Sequence, residues 1–164
     1  MSKSVLGFSL IALCLGALGL FFFLEQNKGS HLVLNGSIKK VRIQELEPKR
    51  SLMILDLRLT NPSDFTFEVK NIDLYLTTAD GEVVEGAFAA QMNTDQIFES
   101  YNTLGQRYNP TLVSREKIPP GKIVDRMVAV SVNLPAAAVE SRKKLVLKIE
   151  EMNRMVTELV ESPK

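Results

Sequence analysis

The most regular alternation of apolar and polar residues in the chain lies between Ser51 and Lys70. Every second residue is apolar over the first half of this stretch, at Met53, Leu55, Leu57 and Leu59. Asp56, Arg58 and Thr60 take the alternate positions, so the pattern predicts a strand with one face in a core and the other in water. Asn61-Pro62-Ser63-Asp64 then supplies turn residues, and Phe65, Phe67 and Val69 begin a second predicted strand.

Other strands are predicted on both sides of this pair. Apolar residues at 32–34, 38, 41 and 43 predict a first edge strand, with a turn at Asn35-Gly36. After the pair, alternation over 72–77 and the return at 83–88 flank Asp80-Gly81, which predicts a hairpin. Later, Pro119-Pro120-Gly121 predicts a turn, and apolar residues from Ile123 to Leu134 predict another half-buried strand.

One short helix interrupts the strands. Ile97, Phe98, Tyr101 and Leu104 share a helical face, which predicts a helix over 93–104 that is capped by Asn93 and ended by Gly105. A loop over 106–117 follows it. The segment 89–117, called the insert below, is therefore predicted to be an addition to the strands.

The last stretch fits two structures. Leu145, Ile149, Met152, Val156 and Leu159 have the spacing of an amphipathic helix. The same stretch also alternates on both sides of Asn153-Arg154, which fits a hairpin. We predict the hairpin, because an antiparallel sheet needs closing strands for its edges.

The first 24 residues form a separate unit in the pattern. Val5 to Leu24 is a run of 20 residues without a charge, and at roughly 1.5 Å per residue a helix of that length crosses a bilayer core. A cleaved secretory signal is the alternative, with a small-x-small site at Ala17-Leu18-Gly19, although the apolar run continues past that site. A lipoprotein signal is set aside because Cys14 follows Leu13.

These boundaries predict an anchor at 1–24, a tether at 25–30 and a β domain at 31–164. Lys3 precedes the run, which favours an amino terminus in the cytoplasm and a domain outside it, periplasmic in a bacterium. Small residues share one face of the predicted transmembrane helix, where a second helix could contact them: Ser9, Ala12, Gly16 and Gly19.

Composition excludes several classes of protein. The chain has 20 Lys and Arg against 19 Asp and Glu, and this balance argues against a nucleic-acid partner. Its basic clusters, at 39–42, 49–50 and 142–144, are interpreted as solvated surface. The single cysteine lies in the apolar run, so no disulfide is expected in the β domain. The single histidine, His31, is given no role.

The fold class predicted from these patterns is all-β, an immunoglobulin- or fibronectin III-like antiparallel sandwich with one inserted helix. At Leu57-Arg58-Leu59-Thr60-Asn61-Pro62, at Val84-Glu85-Gly86 and at Ile118-Pro119-Pro120-Gly121, the chain resembles the late embryogenesis abundant type 2 domain, also called the water-stress hypersensitivity domain. That resemblance implies such a sandwich of about seven strands, without catalytic residues and often beside a membrane anchor.

No motif for chemistry is found in the sequence. The nucleophile elbow, the phosphate-binding loop, the dinucleotide fingerprint and zinc-ligand spacing are all absent. We therefore expect no enzyme and no cofactor or metal, and a hydrolase built on converging carboxylates is kept only as a remote alternative.

Binding residues are expected in the insert, because long connections tend to carry function and tyrosine and arginine are frequent anchors. The candidates are Phe98, Tyr101, Arg107, Tyr108 and Asn109. The structural alternative is that the helical aromatics only cap the sandwich. The function predicted is a membrane-anchored module with a structural or protein-interaction role, and the alternative that the resemblance suggests is a stress-protective protein.

Overall fold

The computed structural model describes residues 32–88 and 91–161, with backbone alone at 91–93. The strands in these ranges are β1 (Asn35–Glu47), β2 (Arg50–Thr60), β3 (Phe67–Thr77), β4 (Val83–Phe88), β5 (Lys117–Ile118), β6 (Ile123–Val132), β7 (Lys144–Glu151) and β8 (Val156–Val160). The helices are α1 (Gln91–Ser100) and α2 (Ala136–Glu140), and a 3₁₀ turn spans Asn102–Leu104. The described residues are thus mostly β with short helices.

The strands form one antiparallel sheet in the order β1-β2-β6-β4-β3-β7-β8, and β5 pairs with β3. β1 and β8 are the two edges of this path. They nevertheless come together, since the backbone N–H of Leu34, just before β1, donates to Oγ1 of Thr157 in β8 at 2.9 Å. The sheet therefore curls until its edges meet, and it encloses one face.

The enclosed face holds the main hydrophobic core. Alternate residues of each long strand point into it, as the period of two requires. Its fully buried members include Leu55 and Leu57 from β2, Phe67 from β3, Val130 from β6 and Leu147 from β7. This is the face that the alternation between Ser51 and Lys70 predicts. The prediction that Phe65 begins a strand and faces the core is wrong. Phe65 lies before β3 and is 51% exposed.

The outer face of β2 and β6 is also buried, so the prediction of a water-facing side is wrong there. Leu52 and Ile54 of β2 pack in a second cluster with Met127 and Ala129 of β6 and with Leu104 of the insert. Ile97, Phe98 and Tyr101 pack against this cluster. The insert supplies this cover, and the unbroken apolar run from Leu52 to Leu55 was the signal for it, because strands covered on both faces lose their alternation.

Two strands change which residues face the core partway along their length. In β3 the buried residues are Phe67 and Val69 before the change and Leu74 and Leu76 after it. The core-facing residues change from odd to even numbers, which requires one extra residue in the strand. The register with β7 shifts between Val69 and Asn71, where a bulge supplies that residue. β1 has a similar shift between Ile38 and Lys40, which explains the uneven spacing of its apolar residues.

Asn35-Gly36 does not form the predicted turn, because both residues pair with β2. The glycine serves close packing instead. A Cβ added at Gly36 would lie 2.7 Å from the carbonyl oxygen of Arg58 and 3.2 Å from Cδ2 of Leu159. A side chain at this position would therefore push β1 away from β2 and from β8.

The hairpin at Asp80-Gly81 and the turn before β6 are confirmed, and Gly81 and Gly121 there have positive φ angles of 94° and 64°. The terminal hairpin is confirmed as well: β7 pairs with β8, and Arg154 in the turn has a φ of 68°. The predicted helix starts two residues earlier, at Gln91, so Asn93 is not its cap.

Two of the basic clusters are not wholly solvated, which corrects the prediction. Arg42 is 9% exposed. The side chain of Arg142 is 3% exposed, and its Nε donates to Oε2 of Glu161 at 2.7 Å. In both cases the guanidinium is removed from water only together with a carboxylate, as a buried charge requires.

None of the helices in the described ranges is long and apolar enough to cross a membrane. The predicted anchor at 1–24 and its candidate helix-contact residues, Ser9, Ala12, Gly16 and Gly19, lie outside those ranges. The proposed anchor, tether and domain boundaries stay predictions.

Candidate functional site

A buried ion pair lies on the outer face of the sheet, beneath the insert. Nη2 of Arg42, in β1, donates to Oδ2 of Asp56, in β2, at 3.0 Å, and each side chain is 8% exposed. Arg42 and Ile54 are register partners in the two strands, so Asp56 lies two residues further along β2 and on the same face. The pair thus belongs to the outer face that the insert covers.

The insert bonds to both members of this pair. Nη1 of Arg42 donates to the carbonyl oxygens of Leu104 at 2.8 Å and Gln106 at 2.9 Å. Oδ1 of Asp56 accepts from Nδ2 of Asn109 at 3.1 Å. These three bonds fix the segment between the 3₁₀ turn and Pro110. We call the group Arg42, Asp56 and Asn109 the latch.

Two aromatic rings of the insert lie over the Arg42 guanidinium. Its central carbon is 5.2 Å from the ring centroid of Phe98 and 5.5 Å from that of Tyr108. Nζ of Lys40 lies 6.0 Å from the Tyr108 ring as well. Cation–π contacts of this kind strengthen where the cation is removed from water, which is the case for Arg42 and not for Lys40.

Nε of Arg42 is buried and forms no hydrogen bond with any described residue. Nη1 and Nη2 of the same guanidinium donate the hydrogen bonds given above, so Nε is the one donor of the latch arginine without a partner among the described residues. A buried donor without a partner costs free energy, and here the ring contacts are the compensating interactions.

The five predicted binding residues fall into different environments. Phe98 and Tyr101 are half-buried and pack against the outer cluster, on a face of the sheet and not at one end of it. Asn109 belongs to the latch. Arg107 pairs with Asp95 of α1 and donates to Oγ1 of Thr111 at 3.2 Å, so it ties the insert together. Tyr108 alone of the five is a large exposed hydrophobic side chain, at 62%.

Sequence reasoning missed Arg42 and Asp56, which it placed on solvated faces. Their partners come from a neighbouring strand and from a segment more than 40 residues away, so spacing in the sequence could not reveal them. The usable signal was indirect. An acid in the middle of a strand whose outer face carries Leu52 and Ile54 must either lie at an edge of the cover or have a partner.

Exposed ion pairs elsewhere differ from the latch. Nε of Arg58 donates to Oδ1 of Asp125 at 2.7 Å, and this hydrogen bond holds the pKa of Asp125 below its usual value. The hydrogen bond from Lys148 lowers the pKa of Glu158 in the same way. Both pairs are open to solvent, where screening makes such contacts weak.

Among the residues that the structure describes, no three His, Cys, Asp or Glu side chains converge as a metal site would need. The latch carboxylate already accepts bonds on both oxygens, from Arg42 and from Asn109. The arrangement therefore holds the segment between Leu104 and Asn109 in place, and within that segment the Tyr108 side chain is left exposed.

Comparison with known proteins gives structural similarity without a family. No family model matches the chain, and no curated protein matches it. The resemblance to the late embryogenesis abundant type 2 domain therefore remains a prediction.

Solved bacterial structures do match. A Bacillus subtilis lipoprotein candidate, YcdA, is 10% identical with a TM-score of 0.48, over 79% of this chain and 36% of that one. An uncharacterised β-sandwich protein from Clostridium difficile is also 10% identical, with a TM-score of 0.41 over 79% and 86%. A conserved hypothetical protein from Bacillus anthracis is 10% identical with a TM-score of 0.38, over 77% of this chain and 87% of that one. The chain spans about a third of the length of the Bacillus subtilis chain.

Proposed function

We propose that this protein is a non-enzymatic module of the immunoglobulin- or fibronectin III-like sandwich type, anchored in a membrane by residues 1–24. In this proposal its β domain lies outside the cytoplasm, periplasmic in a bacterium, and binds a protein partner through the insert. The observation that carries the proposal is the latch, because it fixes the insert and leaves the Tyr108 side chain 62% exposed.

A fixed loop supports binding for an energetic reason. Ordering a mobile loop on association costs free energy, so a loop that is already held by its own domain loses less when a partner arrives. Tyrosine contributes a large contact area with few rotatable bonds, and it is enriched among the residues that dominate binding energy. Tyr108 combines both properties, since its ring already rests over Arg42.

Charge indicates the kind of partner surface. Lys40 lies beside the Tyr108 ring, is exposed, and forms no ion pair with any described residue. A partner that offers an apolar pocket for the tyrosine and an acidic group for Lys40 would match both features. The membrane anchor would bring the module close to other proteins of the same membrane.

Photo-crosslinking in cells that produce the full chain tests this proposal. The photoreactive residue p-benzoyl-phenylalanine replaces Tyr108, and in a matched control it replaces Val83, which is exposed to the same degree, 61%, at the β3–β4 hairpin. We expect one defined crosslinked product at position 108 that is lost with Lys40→Glu, and none at position 83.

The purified partner then gives the energetic test. Truncation of a hot-spot side chain costs about 2 kcal/mol or more, so Tyr108→Ala should weaken binding roughly thirtyfold. Equal products at positions 108 and 83, or none at either, would contradict the binding site. Release of the full chain from membranes by carbonate would contradict the anchor.

A further inference from the structure

Exposed apolar side chains gather at one end of the sheet. Four of the large hydrophobic residues that are most exposed in the described ranges are Phe65 at 51%, Ile123 at 64%, Met152 at 50% and Val156 at 44%. Single exposed apolar residues are ordinary on a protein surface, but a group of them marks an interaction site.

Strand register places these four residues at the same end of the sheet. Ile123 starts β6 and pairs with Thr60, the last residue of β2, and Phe65 lies in the connection that follows β2. Phe67, which opens β3 just after Phe65, pairs with Ile118, shortly before the turn that leads to Ile123. These pairings bring the β2–β3 connection and the β5–β6 turn to the same end.

The β7–β8 turn completes the group. The backbone N–H of Met152 donates to the carbonyl oxygen of Glu68 at 3.2 Å, one residue after the start of β3. Val156 opens β8 on the other side of this turn and pairs with Glu150. Three loops therefore present apolar side chains at one end.

The chain arrives from its amino terminus at this same end. Asn35, the first residue of β1, pairs with Thr60, and the N–H of Leu34 donates to Thr157 beside Val156. We call the surface made by Phe65, Ile123, Met152 and Val156 the tether end.

The loops of the tether end are held by specific hydrogen bonds. Nδ2 of Asn61 donates to the carbonyl oxygens of Phe65 at 2.7 Å and Ile118 at 2.9 Å. The N–H of Gly121 donates to the carbonyl oxygen of Asn61 at 2.8 Å. Because one buried asparagine fixes two of the loops, Phe65 and Ile123 are presented to solvent by ordered backbone.

Two basic side chains at the tether end are exposed and could contact lipid headgroups. Lys122 and Arg154 are exposed at the tips of two of the loops, and neither forms an ion pair with any described residue. Two acids nearby are neutralised, Glu68 by Lys117 and Glu150 by Lys70. Glu151, at the end of β7, is 3% exposed, and its carboxylate accepts hydrogen bonds from the backbone N–H and Nδ2 of Asn153. Asp64 is an exposed acid beside Phe65. Apolar residues with basic neighbours are the composition of surfaces that rest on membranes.

The length of the tether limits where this end can lie. Only Glu25 to His31 separates the apolar run from Leu32, and seven residues span at most about 25 Å when fully extended. A bilayer that holds residues 5–24 is therefore within reach of the tether end. The far end of the sheet, where Thr77 pairs with Val83, is separated from it by the length of β3.

We propose that the tether end is a lipid-contact surface, in which Phe65, Ile123, Met152 and Val156 insert into the headgroup region of the bilayer that holds the anchor. This proposal rests on the membrane anchor of the proposed function. It adds that the domain is docked on the membrane in one orientation, with the opposite end of the sheet directed away from it.

Tryptophan fluorescence tests the proposal, because the natural chain contains no tryptophan. Full-length Phe65→Trp, Ile123→Trp and Val83→Trp variants are reconstituted into vesicles of three parts phosphatidylcholine to one part phosphatidylglycerol, with or without brominated acyl chains. Val83→Trp is the matched control, since Val83 is 61% exposed, close to Ile123 at 64%, and lies at the far end.

We expect emission from the Phe65→Trp and Ile123→Trp variants to shift to the blue and to fall by roughly half in brominated vesicles, as for rings buried about 5–10 Å into the interface. The Val83→Trp variant should show neither effect. A blue shift without bromine quenching would indicate a protein contact at the tether end and would overturn the lipid proposal.

The failures of the two proposals are distinguishable by flotation of the same vesicles. If all variants float with the lipid and their tryptophan emission is quenched no more than that of Val83→Trp, the tether end does not touch lipid and the anchor stands. If the full chain does not float with the lipid, the anchor is wrong, and the lipid-contact proposal falls with it.

Discussion

The variant Arg42→Met is expected to lose about 3–5 kcal/mol of unfolding free energy, the range seen when one partner of a buried ion pair is removed. Asp56 would keep its place under the insert, 6% exposed, with its charge uncompensated. The carbonyl oxygens of Leu104 and Gln106 would lose their donor at the same time. Urea unfolding of the detergent-solubilised full chain, followed by circular dichroism, gives the free energy.

Two further variants make this prediction specific. Arg58→Met removes the arginine of an exposed pair, with Asp125, and should cost much less because that pair is open to water. The double variant Arg42→Met with Asp56→Leu leaves no buried charge and should recover much of the loss. If Arg42→Met costs no more than Arg58→Met, the latch does not hold the insert.

The second large effect is expected for Asn61→Ala, which should lower the free energy of unfolding by about 2–3 kcal/mol, because buried groups without partners are costly. The Asn61 side chain is 1% exposed. Its Nδ2 serves two carbonyl oxygens, and its Oδ1 accepts from the N–H of Ser63 at 3.1 Å and from Oγ of Ser63 at 2.8 Å.

Asn71→Ala is the matched control for this measurement. The Asn71 amide is exposed and, among the residues that the structure describes, donates to Asp73 in the same strand, so its loss should stay within about 0.5 kcal/mol. Asn61→Asp, which keeps the acceptor and removes both donors, should remain strongly destabilised. Equal stabilities of Asn61→Ala and Asn71→Ala would show that the loops do not depend on this residue.

Asn61 also explains part of the resemblance noted in the sequence. The Asn61-Pro62 step ends β2, and the asparagine side chain is used entirely inside the domain, between two loops. The motif therefore has a sufficient structural reason in this chain. It gives no support to a stress-protective function, which would need groups that face clients.

The strands could be predicted where one face meets water or where turn residues are distinctive. The β3–β4 hairpin follows from Asp80-Gly81, whose glycine takes the positive φ that the turn requires. The terminal hairpin was ambiguous by period alone. The need to close the sheet edges decided it correctly, and β8 does meet the start of β1.

Features that depend on distant partners could not be predicted. The burial of Asp56 requires both Arg42 and the insert, so its own strand gives only an indirect signal, the apolar residues Leu52 and Ile54 on the same face. Phe65 continued the alternation of its neighbours, but the hydrogen bonds of Asn61 hold the loop there and β3 begins only at Phe67. Asn35-Gly36 has the composition of a turn, while the close approach of β1 to Arg58 determines the need for glycine.

The sequence predicts a binding site in the insert, which stays a prediction, and it did not predict the environments of the five candidate residues. The insert contains the exposed tyrosine that sequence reasoning proposed, and it contains Asn109 and Arg107 as internal contacts. Aromatic residues at helical spacing gave Phe98 and Tyr101, which cover the sheet. Which aromatic residue remains exposed depends on how the insert docks, and that is determined by the latch.

The central claim is that the insert is docked on the outer face of the sheet. The most direct measurement is a methyl NOESY spectrum of the detergent-solubilised full chain, with labelled Leu and Ile methyl groups. The account predicts cross-peaks that join Leu104 to Leu52 or Ile54, because these residues share one buried cluster. The absence of such cross-peaks, with the Leu52 and Ile54 methyl groups accessible to a soluble paramagnetic agent, would contradict it.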